Sequence, residues 1–248
     1  MNELDIVIPV YNERENIMEV LESLRREVKT RFRVLILYDY DDDNTLPVLK
    51  EARGIEFEVV LMKNRGAGVH NAIMTGFNAS NAPAVLVFPA DEAYNAGIID
   101  AMHSKFKEGN DVVVASRFIK GGSMEGGPLL KSLLVRVASF TLRRFAGVPA
   151  SDASYGLRLF SKRILNTVQI ESTDGFTYAI ELLVKCHRLS WGIAEVPARW
   201  YRRIRGKSRF NLKKWLPHYF RWYLYAFQTA YLGKSRFTVK LKPGVTIL

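Results

Sequence analysis

The sequence of 248 residues has little of the chemistry that disulfides and soft-metal sites require. It contains one cysteine, Cys186, and four histidines. The lone cysteine excludes an internal disulfide and a cysteine-based zinc site, and the few histidines argue against a histidine-rich metal cage. Hydrophobic residues make up 48% of the chain, which is typical of a soluble globular protein and excludes a polytopic membrane protein. The first residues carry acids and lack the basic start of a signal peptide, so we expect a cytoplasmic protein.

Acidic residues are scarce in the second half of the chain. Residues 1–116 hold 12 Lys+Arg and 19 Asp+Glu, a balance of −7, whereas residues 117–248 hold 24 and 6, a balance of +18. Such asymmetry indicates an anionic partner for the second half: nucleic acid, a phosphorylated substrate or an acidic lipid. No recognised nucleic-acid-binding motif accompanies the positive charge, so we expect no nucleic acid partner.

Short apolar runs alternate with helix-like apolar stripes through the first half. This pattern predicts a mostly parallel, helix-covered sheet, whose ligand crevice lies beyond the carboxyl ends of its strands. The predicted strands are 4–10, 32–37, 57–62, 84–88 and 111–115, and the predicted helices are 17–28, 45–53, 69–79 and 96–107. In the second half we predict a glycine-rich loop or flap at 120–128, helices at 129–145, 176–188 and 215–232, and strands at 156–160 and 192–197.

Carboxylates follow two of the predicted strands. Asp39 begins an acidic run that continues through Asp41, Asp42 and Asp43. The run is either a solvated turn that caps the next helix or a site where a carboxylate accepts hydrogen bonds from a ligand, and its place at the sheet edge favours the second for Asp39. Asp91 and Glu92 either hold Mg²⁺ or Mn²⁺ together with substrate phosphates or only begin a helix.

A basic segment follows the last predicted strand. Six cations stand in the eleven residues 199–209, at Arg199, Arg202, Arg203, Arg205, Lys207 and Arg209. They form either a solvated loop or an anion site, because arginine forks match phosphate oxygens. Arg117, Lys120 and Lys131 could join such a site across the fold.

An aromatic helix is predicted next, at residues 215–232. It contains eight aromatic residues and one charge, Arg221, with cations just outside both ends. Its single proline, its other polar residues and its four tyrosines make it a poor membrane-spanning segment, whereas amphipathic aromatics flanked by cations favour a helix that lies in the membrane interface. A core or oligomer contact and a re-entrant or spanning segment are the alternatives.

Several motifs in a fixed order resemble one known family. They are IVIPVYNERENI, the acidic turn after the second strand, PAD after the fourth, ASRF after the fifth, DASYGLRLF, and VPARWYRRIRGKSRF. This order resembles the inverting GT-A glycosyltransferases of family 2, and most closely the dolichol-phosphate mannose synthase and polyprenyl-phosphate glycosyltransferase branch. The resemblance covers roughly residues 4–210. It implies an α/β, Rossmann-like GT-A fold, a nucleotide-diphospho-sugar donor, a Mg²⁺ or Mn²⁺ cofactor and a polyprenyl-phosphate acceptor.

The resemblance also implies roles for individual residues. The nucleotide-sugar site would comprise Pro9, Tyr11, Glu13, Leu37, Asp39, Ala90, Asp91, Arg117, Arg203 and Arg209. Asp91, Arg117 and Arg203 would act in catalysis, Asp91 with Glu92 would hold the metal, and the acceptor phosphate would meet Arg117, Lys131, Arg203 and Arg209. The family's DDGS turn is here Tyr38-Asp39-Tyr40-Asp41, its DAD triplet is Pro89-Ala90-Asp91, and the Gln or Glu that often follows is Ala93. Either Glu92 replaces the missing carboxylate or metal binding is weaker.

These observations predict an enzyme with a donor half at 1–118, an acceptor half at 119–210, and a membrane-interface helix and tail at 211–248. We expect it to lie peripherally on the cytoplasmic face of an anionic membrane. An acceptor phosphate needs no strong general base, whereas a saccharide hydroxyl acceptor would need one, with Asp152, Asp174 and Glu181 as candidates. A degenerate fold that binds nucleotide or acidic lipid without turnover is a further alternative.

Overall fold

A seven-stranded sheet forms the centre of the protein. The computed structural model describes residues 2–127, 129–202, 212–232 and 238–247. In chain order its strands are β1 (Leu4–Pro9), β2 (Phe32–Tyr38), β3 (Val59–Lys63), β4 (Ala84–Val87), β5 (Asn110–Ser116), β7 (Arg158–Ser161) and β8 (Gly192–Pro197). They lie side by side in the order β3-β2-β1-β4-β7-β5-β8. Among the paired strands of this sheet, only β7 runs antiparallel to its neighbours, β4 and β5.

Helices cover both faces of this sheet. The α-helices are α1 (Ile17–Glu27), α2 (Thr45–Glu51), α3 (Gly68–Ala79), α4 (Ile99–Lys107), α5 (Leu129–Arg144), α6 (Lys162–Thr167), α7 (Thr177–Arg188) and α8 (Leu212–Tyr231), and a 3₁₀ helix spans Ala93–Ile98. Successive β1 residues point to opposite faces, so Val7 packs with α3 and α7 while Ile6 and Ile8 pack with α1 and α4. Burial on both faces explains why these strands are continuous apolar runs in the sequence.

A buried carboxylate joins three segments at the amino-terminal edge of the sheet. Asp5 has no exposed surface and pairs with Arg33 at 2.7 Å. It also accepts hydrogen bonds from the hydroxyl of Ser80 at 2.6 Å and from the backbone of Asn81 at 2.8 Å. Burial alone would raise the pKa of Asp5, but these donors outweigh it and lower the pKa below its usual value.

The second half contains three elements that the sequence pattern did not predict. The strand predicted at 156–160 is observed as β7, although it enters the sheet antiparallel to its neighbours. The three unpredicted elements are α6, which follows β7 directly, and two short strands. The segments expected to form a flap and a basic loop instead contribute a small parallel sheet, in which β6 (Ser123–Glu125) pairs with β9 (Arg199–Tyr201). Strands of three residues leave no periodic signal, so their pairing depends on the tertiary fold.

The aromatic helix α8 packs on the domain with one face. Trp222 and Ala226 belong to the core beneath α7, and Arg188 of α7 donates hydrogen bonds to Thr229 Oγ1 and to the Ala226 carbonyl, both at 2.7 Å. Leu216, Phe220 and Leu224 lie on its exposed face. Across the described part of the chain, none of the helices is both long enough and apolar enough to cross a membrane.

Candidate functional site

A cavity of about 1260 Å³ opens at the carboxyl ends of β1, β2 and β4. This is the edge at which ligands bind in open α/β sheets. Residues predicted to bind the nucleotide sugar or metal lie in its wall: Pro9, Tyr11, Glu13, Asp39, Ala90, Asp91, Glu92 and Arg117. The fold therefore brings most of the predicted site together from four separate segments.

Leu37 is the exception among these residues. Its side chain has no exposed surface and packs in the core with Val7 and Phe77. It is absent from the cavity wall. Side chains alternate between the faces of a strand, so Leu37 points into the core, and its structural part is to support the strand that ends at Asp39.

The acidic run after β2 contains both a turn-forming acid and a cavity acid. Asp43 is buried and accepts hydrogen bonds from the backbone of Asn12 at 3.0 Å and of Thr45 at 2.9 Å. Asp39 is half-buried in the cavity wall, where it accepts hydrogen bonds from Asn64 Nδ2 at 2.7 Å and the Gly68 backbone at 2.9 Å. Gly68 has φ +82°, a conformation that favours glycine.

The two acids after β4 have different surroundings. Asp91 lies half-buried in the cavity wall, whereas Glu92 is buried and accepts hydrogen bonds from the hydroxyl of Tyr155 and from Asn95 Nδ2. Burial raises the pKa of Glu92 to about 8, since these donors only partly offset the loss of hydration. Within the residues that the structure describes, no group of three or more His, Cys, Asp and Glu side chains could hold a metal ion.

Arg117 lies in the cavity wall but is already paired. Its Nε and Nη2 atoms bind the two oxygens of Asp152 at 2.7 and 2.9 Å, and its Nη2 also donates to Ser154 Oγ at 3.0 Å. The guanidinium lies 4.6 Å from the ring centre of Tyr155. Burial by itself would raise the pKa of Asp152, but the charge and hydrogen bonds of Arg117 outweigh it and lower the pKa.

The candidate general bases have structural partners. Asp152 has no exposed surface and is held by Arg117. Glu181 is also fully buried, where it accepts bonds from Lys185 Nζ at 2.6 Å and from the Ser172 backbone at 2.8 Å. Asp174 lies outside the cavity wall, with an oxygen 3.5 Å from His218 Nε2. None of the three is placed to remove a proton from a substrate in the cavity.

The predicted acceptor-phosphate residues are only partly visible. Arg203, Arg209 and the side chain of Lys131 lie outside the described residues. Arg202, the last described residue of the basic segment, lines the cavity beside Trp200 and Tyr201.

Sequence reasoning missed the aromatic residues at this end of the cavity. The Tyr94 and Tyr201 rings pack edge to face with centroids 5.0 Å apart. Tyr94 stands two residues after Glu92 and Tyr201 stands within the basic segment, and these positions are the signal that the sequence offered.

Two helices form an apolar part of the cavity wall. The wall contains Leu134, Val137, Ala138 and Leu142 of α5 and Leu216, Tyr219, Phe220 and Tyr223 of α8. The helices are joined by a hydrogen bond of 2.8 Å between Thr141 Oγ1 and the Tyr223 hydroxyl. Val137, Leu216 and Phe220 line the cavity and are also 51%, 53% and 53% exposed, so the wall continues onto the surface.

Two relatives match most of this chain. A dolichol-phosphate mannosyltransferase from Pyrococcus furiosus is 24% identical over 88% of the chain, which spans 63% of that protein. A polyprenol monophosphomannose synthase from Mycolicibacterium smegmatis is 24% identical over 83% of the chain and 80% of its own length.

A solved structure has the same fold. Glucosyl-3-phosphoglycerate synthase from Mycobacterium tuberculosis, in complex with Mn²⁺, UDP and glucosyl-3-phosphoglycerate, superposes with a TM-score of 0.66 at 17% identity, over 92% of this chain and 80% of that one. This likeness confirms the predicted α/β fold of the GT-A type with a mostly parallel central sheet. The family model for glycosyl transferase family 2 matches residues 5–169. That match covers well over half of the sequence, and the chain therefore belongs to glycosyl transferase family 2.

Proposed function

We propose that the protein transfers a sugar from a nucleotide-diphospho-sugar to a polyprenyl phosphate, with inversion at the anomeric carbon. The observation that carries this proposal is the cavity itself. One part of its wall is polar and holds Asp39 and Asp91 at the carboxyl ends of the sheet, and another part is apolar and is formed by α5 and α8. One cavity thus offers a polar surface for the donor and an apolar surface for the acceptor tail. The names of the two relatives support the same pair of substrates.

The polar part of the cavity wall fits a nucleotide-diphospho-sugar that binds together with a divalent cation. Mg²⁺ and Mn²⁺ are commonly held by one or two carboxylates together with phosphate oxygens. Asp91 offers such a carboxylate, and the complex of the tuberculosis enzyme contains Mn²⁺ and UDP. When bound, the cation would neutralise charge that develops on the leaving diphosphate. Pro9, Tyr11 and Glu13 would line the nucleotide side of the pocket.

The reaction requires no proton transfer from the acceptor. A phosphate oxygen of the acceptor attacks the anomeric carbon, the bond from that carbon to the donor diphosphate breaks, and nucleoside diphosphate leaves with the electron pair. A phosphate monoester has a second pKa of roughly 6, so its oxygen is already ionised near neutral pH. The structural partners of Asp152 and Glu181 agree with this chemistry, because the cavity offers neither acid as a base. Positioning and electrostatic stabilisation would supply the catalysis.

We further propose that the protein lies peripherally on the cytoplasmic face of an anionic membrane. The apolar α5–α8 face would contact the bilayer; we define it as Leu133, Val137, Phe140, Leu216, Phe220 and Leu224, all at least 41% exposed. Exposed apolar patches of this kind mark interaction surfaces. Arg136, Arg143, Arg144 and Arg221 stand on the same helices. Each basic residue near an anionic surface contributes about 1 kcal/mol.

In this proposal the chain has three working parts. Residues 1–118 bind the donor and residues 119–210 the acceptor. Residues 211–248 hold the membrane-interface helix and tail.

The proposal is tested by supplying both substrates. Purified protein is incubated with radiolabelled GDP-mannose or UDP-glucose, Mn²⁺, and vesicles that contain a polyprenyl phosphate. Label is expected in the organic extract, in a lipid that releases the sugar on mild acid treatment, and only when the polyprenyl phosphate is present. Vesicles with the matching polyprenol are the control, since they offer a hydroxyl in place of the phosphate. Transfer to the polyprenol at the same rate would contradict the phosphate acceptor.

A further inference from the structure

Three buried side chains form a hydrogen-bonded hub beside the cavity. Glu92, Asn95 and Tyr155 are 6%, 1% and 5% exposed. The Tyr155 hydroxyl donates to Glu92 Oε2, and Asn95 Nδ2 lies 3.2 Å from the same oxygen and 2.9 Å from the Tyr155 hydroxyl. The hub thus joins the loop after β4, the 3₁₀ helix and the segment before β7.

The hub also holds the backbone of strand β9. Asn95 Nδ2 donates to the Arg199 carbonyl at 2.9 Å, and the Arg199 N–H donates to Asn95 Oδ1 at 3.2 Å. The Tyr155 hydroxyl lies 3.3 Å from the same carbonyl. One amide side chain therefore satisfies both backbone groups of Arg199, as a neighbouring strand would.

Strand β9 forms the beginning of the basic segment. It pairs with β6 over three residues, and the Arg202 N–H donates to the Glu125 carbonyl at 3.1 Å. The Tyr201 N–H lies 3.4 Å from the Tyr94 hydroxyl. The path of the chain at Arg202 is therefore set by how β9 is held.

The contacts of Glu92 point inward. The side-chain donors of Tyr155 and Asn95 both converge on its Oε2 atom. The ring of Tyr155 lies against Arg117, and Asn95 holds Arg199. Glu92 also lines the cavity, but both donors engage its Oε2 atom and the residue is only 6% exposed. Asp91 is half-buried in the same wall and is the more accessible carboxylate for a cation on the donor diphosphate.

We propose that Glu92 is a positioning residue that acts on the acceptor side of the site and does not hold the donor's cation. Through Tyr155 and Asn95 it fixes β9 and thereby the start of the basic segment. The part of this inference that concerns the acceptor rests on the proposed function. The structural part, that Glu92 holds β9, stands without it.

Tyr155→Phe tests the hub with the smallest change. It removes the hydroxyl that binds Glu92 and keeps the ring against Arg117. Tyr225→Phe is the matched control, because it removes a hydroxyl bond of 3.0 Å to the Thr238 carbonyl away from the cavity wall. Amide hydrogen exchange in the peptide 199–202 is expected to become about fivefold faster in Tyr155→Phe, the factor that corresponds to one typical net hydrogen bond. It should stay unchanged in Tyr225→Phe.

Glu92→Ala and Glu92→Gln separate positioning from metal binding. In Glu92→Ala we expect the KM for the polyprenyl phosphate to rise about fivefold, as for the loss of one typical net hydrogen bond. The kcat at saturating acceptor, and the Mn²⁺-dependent binding of UDP and GDP, should stay within about twofold of wild type, a margin well below the loss of one hydrogen bond. Glu92→Gln retains an oxygen for Tyr155 and is expected to restore the acceptor KM. Asp91→Asn is the comparison variant, in which nucleotide binding should weaken.

The outcomes distinguish the two proposals. This inference is wrong, and Glu92 is a metal ligand, if two results are found together. Glu92→Ala weakens Mn²⁺-dependent nucleotide binding as strongly as Asp91→Asn, and amide exchange at 199–202 in Tyr155→Phe is the same as in the wild type. If wild type transfers no sugar to polyprenyl phosphate, the proposed function fails. Amide exchange and nucleotide binding still decide the role of Glu92 in that case.

Discussion

The Asp152–Arg117 pair allows a sharp test of whether Asp152 acts as a general base or as the structural partner of Arg117. The change is Asp152→Asn, which removes the charge and keeps the shape of the side chain. Asp152 is fully buried and Arg117 is only 7% exposed. Asp152 Oδ2 accepts from both the backbone N–H and Nε of Arg117, at 3.1 and 2.7 Å. The variant therefore leaves a buried guanidinium without its counter-charge.

The size of the stability loss in Asp152→Asn follows from the burial of the ion pair. Removing one partner of a buried ion pair destabilises a protein by about 3–5 kcal/mol, and the amide oxygen retained by asparagine places this variant near about 3 kcal/mol. For a domain of this size each kcal/mol lowers the Tm by roughly 2–4 °C, so we expect a decrease of about 6–12 °C. Asp111→Asn is the control, because Asp111 pairs at 3.0 Å with Arg163, which is 56% exposed, and exposed partners are screened by water.

The difference in stability between the wild type and Asp152→Asn should also depend on pH. The folded-state pKa of Asp152 is lowered, so its stabilising effect is complete above the unfolded value, about 3.9, and is lost as the pH falls through the lower folded value. The wild type and Asp152→Asn should therefore converge in stability in acid. Thermal unfolding between pH 3 and pH 7 measures this convergence.

An opposite pattern would refute the reasoning. If Asp152→Asn unfolds at the wild-type temperature and transfer falls by roughly 10²–10⁴-fold, Asp152 acts as a general base. The acceptor would then carry a hydroxyl, and the phosphate-acceptor mechanism would be wrong.

Three further predictions follow from other parts of the structure. Asp91→Asn should keep the wild-type Tm and lose most transfer, because an amide cannot neutralise a cation; full activity, or activity indifferent to chelator, would contradict a cation at Asp91. Phe140→Glu should weaken sedimentation with anionic vesicles because it puts a charge into the α5–α8 face, whereas Tyr40→Glu, at a 52% exposed residue outside that face, serves as a surface control; equal losses would contradict this docking face. Asp5→Asn should destabilise the protein by about 3 kcal/mol above pH 4 and by less in stronger acid, since the folded-state pKa of Asp5 is lowered, and urea denaturation at pH 3 and pH 7 checks this difference.

The sequence predicted the first half of the fold closely. The predicted strand 32–37 is observed as Phe32–Tyr38, and the predicted helix 69–79 as Gly68–Ala79. Strands buried on both faces must be apolar along their whole length, so local composition reports them directly. The ligand edge followed from the same pattern, because the carboxyl ends of parallel strands meet there, and Asp39 and Asp91 both line the cavity.

The sequence was less informative where elements are short or depend on distant partners. The helix predicted at 96–107 begins earlier, as a 3₁₀ helix from Ala93, where the Asn95 side chain turns toward Arg199. The loop predicted at 120–128 contains β6, which exists only because β9 lies beside it. Neither pairing has a local signal in the sequence.

The sequence by itself determined the family, the sheet and the residues available to the site, because each is encoded by local pattern or by an ordered set of motifs. The tertiary structure decided what those residues do. Asp152 meets Arg117 across 35 positions, and Asn95 meets Arg199 across 104. Leu133, Val137 and Phe140 have the spacing of a buried helix stripe but face outward. Composition fixes which groups can ionise or avoid water, whereas only the folded chain fixes which partner each group meets and whether water reaches it.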